Sequence, residues 1–260
     1  MKAVVVGSGA AGGVTSVSAP MDEQGVIPEG LQSADVLHCS PSHHFPTGLV
    51  TPVSRRMELL CWAGDSRWII EDDYDSEFRF DAHPMPAMQA LDGKGRVIYM
   101  NTFSKSIAPS IRISYMVLPP DLMRQFQSRL GFYSCTVPSF EQYTLARFLS
   151  EGYFEKHINR MRKFYRLRRA KLTGMLAGLP GIRVLEQDAG LHFLVELDTA
   201  LPDTALVQAL SQRGVRAEAL SSFYHTKQED LHRLVVDYSG LEESAFQKAV
   251  EVLRQLAGSN

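Results

Sequence analysis

The sequence predicts an α/β fold followed by a smaller α+β unit. Through the first half, short apolar runs end in polar or acidic loops and alternate with helical patterns, as in a sheet that binds ligands at its strand ends. The second half opens with a long basic helix pattern and continues with strand-like and helical segments in turn. At 260 residues the chain can bury a substantial core, and the change in character places a boundary near residue 150, dividing it into 1–150 and 151–260.

The first element is an apolar run followed by Gly7-Ser8-Gly9-Ala10-Ala11-Gly12, which matches the G-x-G-x-x-G fingerprint of a dinucleotide-binding turn. That turn needs a helix behind it, because the first N–H groups of the helix hold the phosphates. Instead the chain continues with the alternation Val14-Thr15-Ser16-Val17-Ser18, a short strand, and then a turn at Met21–Gly25. The glycines read as a connection between two strands, with a nucleotide-binding fragment through Gly7–Gly12 kept as an alternative. Asp35–Ser40 is strand-like and leads into the Pro- and Gly-punctuated loop Pro41–Gly48. Ser54–Ala63 reads as a helix with Ser54 as its N-cap. Trp68–Ile70 is a buried strand that runs into acids, Arg96–Met100 a second strand with a polar loop behind it, and Arg112–Pro119 a third.

Phe140–Leu149 is helical, and one long helix runs from about Glu155 until Gly178 and Pro180 end it. Between Lys156 and Lys171 it carries eight Lys and Arg and no acid. Ile158, Met161, Tyr165 and Leu172 recur there at helical intervals, so the basic residues read as the solvated face over a core stripe rather than a nucleic-acid surface. Strands at Ile182–Glu186, Leu191–Leu197 and Arg233–Ser239 and helices at Asp203–Arg213 and Glu242–Leu256 complete the α+β unit.

The net charge of −2 gives no global attraction to nucleic acid or to an anionic membrane. No apolar run approaches the roughly 18 residues of a membrane span. The glycines interrupt any secretion signal at the start. Cys39, Cys61 and Cys135 form neither a metal nor a redox pattern, and the economical reading is a cytoplasmic protein with reduced thiols.

Two segments carry chemistry, Trp68–Phe80 and Tyr99–Tyr115. In the second, Lys105 sits just past an apolar strand among small hydroxylated residues, with Arg112 seven positions on. A partly desolvated lysine is a usable amine nucleophile, and Thr102, Ser104 and Arg112 suit a phosphate. In the first, Asp72 and Asp73 come directly after a buried strand, with Tyr74 beside them. A carboxylate there either ligates a metal, with His43 and His44 as further ligands, or pairs with a cation held in the cleft. No C-x-x-C or H-x-x-x-H pattern supports a metal, and His43, His44 and His192 read as packed or loop histidines. Together, an acid, a phenol, a lysine amine and an arginine beside hydroxyls are what pyridoxal phosphate requires.

The motifs "PSHHFPTG", "IIEDDYDSEFRF" and "NTFSKSIAPSIRISYMVLPP" resemble the fold-type-I aminotransferase domain of MocR-type regulators, a branch of the GntR transcription factors. The resemblance runs from about Val14 to the C-terminus. It implies an incomplete large domain with a mixed, mostly parallel sheet, plus a small α+β domain. Residue by residue, it makes Lys105 the lysine that carries pyridoxal 5'-phosphate, Asp72 the partner of the pyridinium nitrogen and Tyr74 the donor to the ring hydroxyl. Thr102, Ser104 and Arg112 are the phosphate ligands it implies. Phe45 stands where ordinary aminotransferases have an Asn near the ring hydroxyl. Val235 stands at the position of their substrate-carboxylate Arg; Arg233, two residues earlier on the same strand face, either substitutes or is simply solvated.

Intact relatives carry an N-terminal winged helix and the first part of the aminotransferase domain, so the resemblance implies a truncated domain. The implied function is an effector or sensor domain that responds to a small amine, an amino acid or the cofactor itself, dimerises in full-length relatives and does not bind DNA alone. A working aminotransferase is the alternative, with Lys105 also moving the proton at the substrate α-carbon.

Overall fold

The computed structural model describes residues 2–5, 15–80, 85–185, 190–224 and 230–257, the first of these for the backbone alone. The glycines of the Gly7–Gly12 fingerprint lie outside the described residues. The chain divides into two compact units. One holds residues 1–44, 49–77 and 83–161, the other 45–48, 78–82 and 162–260.

The first unit begins with strands β1 (Lys2–Val5) and β2 (Thr15–Val17) and the small hairpin of β3 (Met21–Asp22) and β4 (Gly25–Val26). Gly25 takes a φ of 103°, and a Cβ there would meet Thr51 Oγ1 at 2.7 Å, so this turn requires glycine. Strand β5 (Val36–Cys39) leads through the Pro41–Gly48 loop to helix α1 (Val53–Ala63). Pro52, not Ser54, occupies the N-cap of α1, and no side chain caps it; proline's fixed backbone geometry starts the helix one residue earlier. Strand β6 (Trp68–Asp72) extends two residues past its apolar run and carries Glu71 and Asp72 within the ladder. After a single turn, α2 (Met88–Leu91), comes strand β7 (Val97–Thr102). Directly after β7 stands a one-turn helix, α3 (Phe103–Ser106), where the sequence suggested a polar loop. Strand β8 (Ser114–Val117) and helices α4 (Pro120–Leu130) and α5 (Ser139–Ser150) come next, and then α6 (Tyr153–Leu176), whose first part belongs to this unit.

Among the described residues the large sheet runs β2-β1-β5-β6-β7-β8, parallel except for β8. Its two faces differ. Leu37, Cys39, Ile69, Glu71, Val97 and Asn101 point to one face and are buried, against α1 residues Leu59, Trp62 and Ala63 and against Met88. On the other face His38, Trp68, Ile70, Ile98, Met100 and Thr102 are half-buried, and Met116 is 53% exposed. All four residues of β8 are exposed, and neither α4 nor α5 contains a buried residue.

The buried face is organised around a fully buried guanidinium. Arg56 Nε donates to Thr51 O (2.9 Å), and its terminal nitrogens donate to Pro41 O (2.8 Å) and Pro86 O (3.1 Å). Arg56 Nη1 lies 3.6 Å from the equally buried Glu71, whose carboxylate accepts from the Met88 and Gln89 amides. One ion pair thus ties the loop after β5, α1, β6 and α2 together.

The second unit contains the rest of α6 and a sheet of order β11-β12-β10-β9, with β9 (Ile182–Leu185), β10 (His192–Leu197), β11 (Glu218–Ala219) and β12 (Arg233–Asp237) all antiparallel. Helices α7 (Asp203–Gln212) and α8 (Glu243–Leu256) supply apolar faces. Leu172, Leu176, Phe193, Val195, Leu206, Leu210 and Phe246 are buried, and the Tyr238 hydroxyl donates to Gly190 O at 2.7 Å. The α6 stripe is buried at Ile158 and Leu172 and half-buried at Met161 and Tyr165. Among the described residues no helix is long and apolar enough to cross a membrane.

Candidate functional site

The residues singled out in the first unit gather at the carboxyl ends of β6 and β7, where an open parallel sheet offers its ligand crevice. Asp72 is the last residue of β6 and pairs in register with Met100; Thr102 lies two residues further along β7 and shares their face. On β5, His38 is the register partner of Ile70, which puts His38 on that face too, and its Nε2 lies 3.4 Å from Asp72 Oδ2. Both side chains keep partial access to water, 25% and 34%.

Thr102 ends β7 and begins α3. Its Oγ1 accepts the Ser104 amide at 3.2 Å and donates to Ile113 O at 3.3 Å, so this hydroxyl is the N-cap of the turn that presents Lys105. Ser104 is half-buried and Lys105 exposed. The turn is anchored from behind, where His157 hydrogen-bonds Ser106 O (3.0 Å) and Phe103 N donates to Ile113 O (2.9 Å). Arg112 is exposed and adopts a left-handed backbone (φ 48°), a conformation uncommon outside glycine. Its guanidinium has no ion pair among the described residues.

Tyr74 stands two residues past β6, half-buried, with its hydroxyl 3.3 Å from His43 Nδ1. That same nitrogen is 2.8 Å from Asp75 Oδ2, and both the His43 and Asp75 side chains are almost wholly buried. The sequence reading of His43 as a packed histidine missed this link, because its partners lie more than 30 positions away. On the buried face Tyr99 donates to Asp73 Oδ2 at 2.7 Å, and burial raises the Tyr99 phenol. Burial, with Asp73 and Asp75 nearby, pushes the Glu77 carboxyl up to about 7. Burial likewise takes His44 down to about 4, with His43 adding to the effect.

Arg233 belongs to the second unit. It stands opposite Glu196 in the β10–β12 ladder and donates to it at 2.8 Å, while Arg183 approaches the same carboxylate from β9. Burial raises the Glu196 carboxyl, but the bonds from the two arginines outweigh it and leave it low. Arg233 is thus held in a cross-strand ion pair and is not simply solvated. Also in this unit, Phe45 packs edge-on against His192 and Phe223, and His192 Nε2 hydrogen-bonds Pro46 O.

Comparison with known proteins is decisive at the family level. The model of aminotransferase class I and II matches residues 26–253. The chain belongs to the aminotransferase class I and II family. It is 39% identical over 238 residues to YhdI, an uncharacterized HTH-type transcriptional regulator of Bacillus subtilis, covering 90% of this chain and 50% of that protein. To the probable rhizopine catabolism regulatory protein MocR of Rhizobium meliloti it is 34% identical over 251 residues, again covering half of the relative. The chain therefore spans about half the length of these regulators. Among solved structures, Pyrococcus horikoshii kynurenine aminotransferase superposes with a TM-score of 0.83 at 25% identity, covering 98% of this chain and 69% of that one. The α/β reading and the resemblance to MocR-type regulators are both borne out, and the sheet is that of an incomplete aminotransferase-family large domain.

Proposed function

We propose that this chain is the pyridoxal-phosphate-binding effector domain of a MocR/GntR-type transcriptional regulator, acting in the cytoplasm. The observation that carries the reading is the meeting of Asp72 and the Thr102–Lys105 turn at the ends of neighbouring parallel strands, one bearing a carboxylate, the other an exposed amine. These residues fit the cofactor by their chemistry. Arg112, without an ion pair among the described residues, offers a planar fork of donors to a phosphate, and Ser104 adds a hydroxyl. Thr102 contributes by capping the turn, because its own proton is engaged by Ile113 O.

Pyridoxal phosphate, when bound, supplies an aldehyde that condenses with amines and a ring that withdraws electrons. Lys105 Nζ would hold the aldehyde carbon, Asp72 would keep the proton on the ring nitrogen with His38 orienting its carboxylate, and Tyr74 would donate to the ring hydroxyl. A small amine or amino acid that binds one domain arrangement better than another shifts the regulator between them. The effector, dimerisation and DNA binding are properties of a longer protein in this reading.

Titration of the purified chain with pyridoxal phosphate, borohydride reduction and peptide mapping test it. The expected result is a visible band and a reduced adduct on Lys105, both lost in Lys105→Ala. A folded chain with no adduct refutes the assignment. Conversion of the cofactor to its amine form with release of a keto acid would establish an aminotransferase instead.

A further inference from the structure

We infer that His43 and Asp75 are positioning residues that fix Tyr74 as a hydrogen-bond donor to the cofactor's ring hydroxyl. The inference rests on the cofactor reading above and adds two residues to it.

His43 Nδ1 lies 2.8 Å from Asp75 Oδ2 and 3.3 Å from the Tyr74 hydroxyl. Both members of the His43–Asp75 pair are buried, their side chains 1% and 3% exposed. An ionised carboxylate only accepts, and at 2.8 Å an unprotonated Nδ1 would set two lone pairs against each other in a dry environment. The proton therefore sits on Nδ1 and points chiefly at Asp75. Tyr74 Oη then faces a donor and receives the minor share of that hydrogen. Its own O–H is directed away from His43. The Tyr74 ring is tilted 36° to the imidazole at a centroid distance of 6.2 Å, so packing as well as hydrogen bonding holds it. A phenol whose lone pair is already occupied offers its partner a proton, which suits an oxygen acceptor.

Two residues far apart in sequence thereby determine which way a third points. Asp75 adjoins Tyr74 in the chain, whereas His43 comes from the loop after β5, so the direction of the phenol depends on that loop.

The test compares equilibrium binding of pyridoxal phosphate with that of its 3-deoxy analogue, which lacks only the ring hydroxyl. Wild type is expected to prefer pyridoxal phosphate by about tenfold, the scale of one well-made hydrogen bond. Tyr74→Phe brings the ratio close to one. His43→Phe and Asp75→Asn each lower it by about three- to tenfold, and His43→Phe has no further effect in the Tyr74→Phe background. His43→Asn, whose amide N–H replaces the Nδ1 donor, restores the preference, a rescue that a purely structural role would not produce. Circular dichroism of each variant checks that it is folded, and Asp75→Asn serves if His43→Phe is not. A preference unchanged in folded His43→Phe and Asp75→Asn overturns the inference while leaving the cofactor reading intact. Wild type that binds neither compound overturns both.

Discussion

Replacing Arg56 by Met tests the central claim about the first unit, that a buried charge holds it together. The methionine fills similar space but takes the Arg56 donor from the carbonyls of Thr51 and Pro86, leaves Pro41 O with the Thr51 amide alone, and leaves Glu71 without its cation. Removing one partner of a buried pair costs about 3–5 kcal/mol, a large part of the roughly 5–15 kcal/mol that a domain has in total. The loss should depend on pH. Burial already raises the Glu71 carboxyl above its ordinary 4.5, and Arg56 is one of the groups that restrain it. Without Arg56 the folded chain keeps this proton to higher pH than the unfolded chain does, so stability is retained at low pH and lost as pH rises through the folded value. Denaturant unfolding followed by the fluorescence of Trp62 and Trp68 at pH 5 and pH 8 measures both effects. Adding Glu71→Gln should return about 1–3 kcal/mol of the deficit at pH 8. A loss below about 1 kcal/mol, equal at the two pH values, would show that the guanidinium is not the anchor described.

Other buried or paired groups give further expected outcomes. Glu77→Gln should stabilise the chain relative to wild type by up to about 3 kcal/mol between pH 5 and pH 8, because the wild-type carboxyl, raised to about 7, loses its stabilising protonation over that range; parallel pH profiles for the two proteins would contradict the assignment. Asp203→Ala should cost about 2–3 kcal/mol, measured by thermal unfolding, since the buried carboxylate accepts the Leu231 and His232 amides and holds His232 at its φ of 51°. Arg233→Leu should change stability by less than about 1 kcal/mol, as befits a cross-strand pair with access to water; a large loss of amine binding in that variant would instead give Arg233 a part in recognition.

Much of this architecture was legible in the sequence, for identifiable reasons. The apolar runs at β5, β6 and β7 are strands because their residues are apolar on both faces, as parallel strands demand. The stripe through Ile158 and Leu172 marked α6 despite its charge. The features that escaped are set by contacts distant in sequence. Arg55 and Arg56 look like two solvated helix residues, yet both are buried, Arg56 against carbonyls from the connection before α1 and from the stretch before α2. The role of Thr102 as a cap depends on the chain turning at once into α3, which no periodicity over four residues reveals. Lys105, Asp72 and Tyr74 stood out because their chemistry is unusual beside an apolar run. His43 and Asp75 did not, because their significance lies in a shared hydrogen.

Strand β8 has a consequence for how the protein behaves as its concentration rises. Among the described residues it ends the large sheet, its four residues are exposed, and helices α4 and α5 beside it in sequence contain no fully buried residue. A strand with an open edge and apolar side chains such as Met116 and Val117 is a template on which another strand can grow. Crowding the molecules together therefore brings such edges within reach of one another. Mixing with any polypeptide that caps this edge should extend their shelf life without altering a single bond inside the fold.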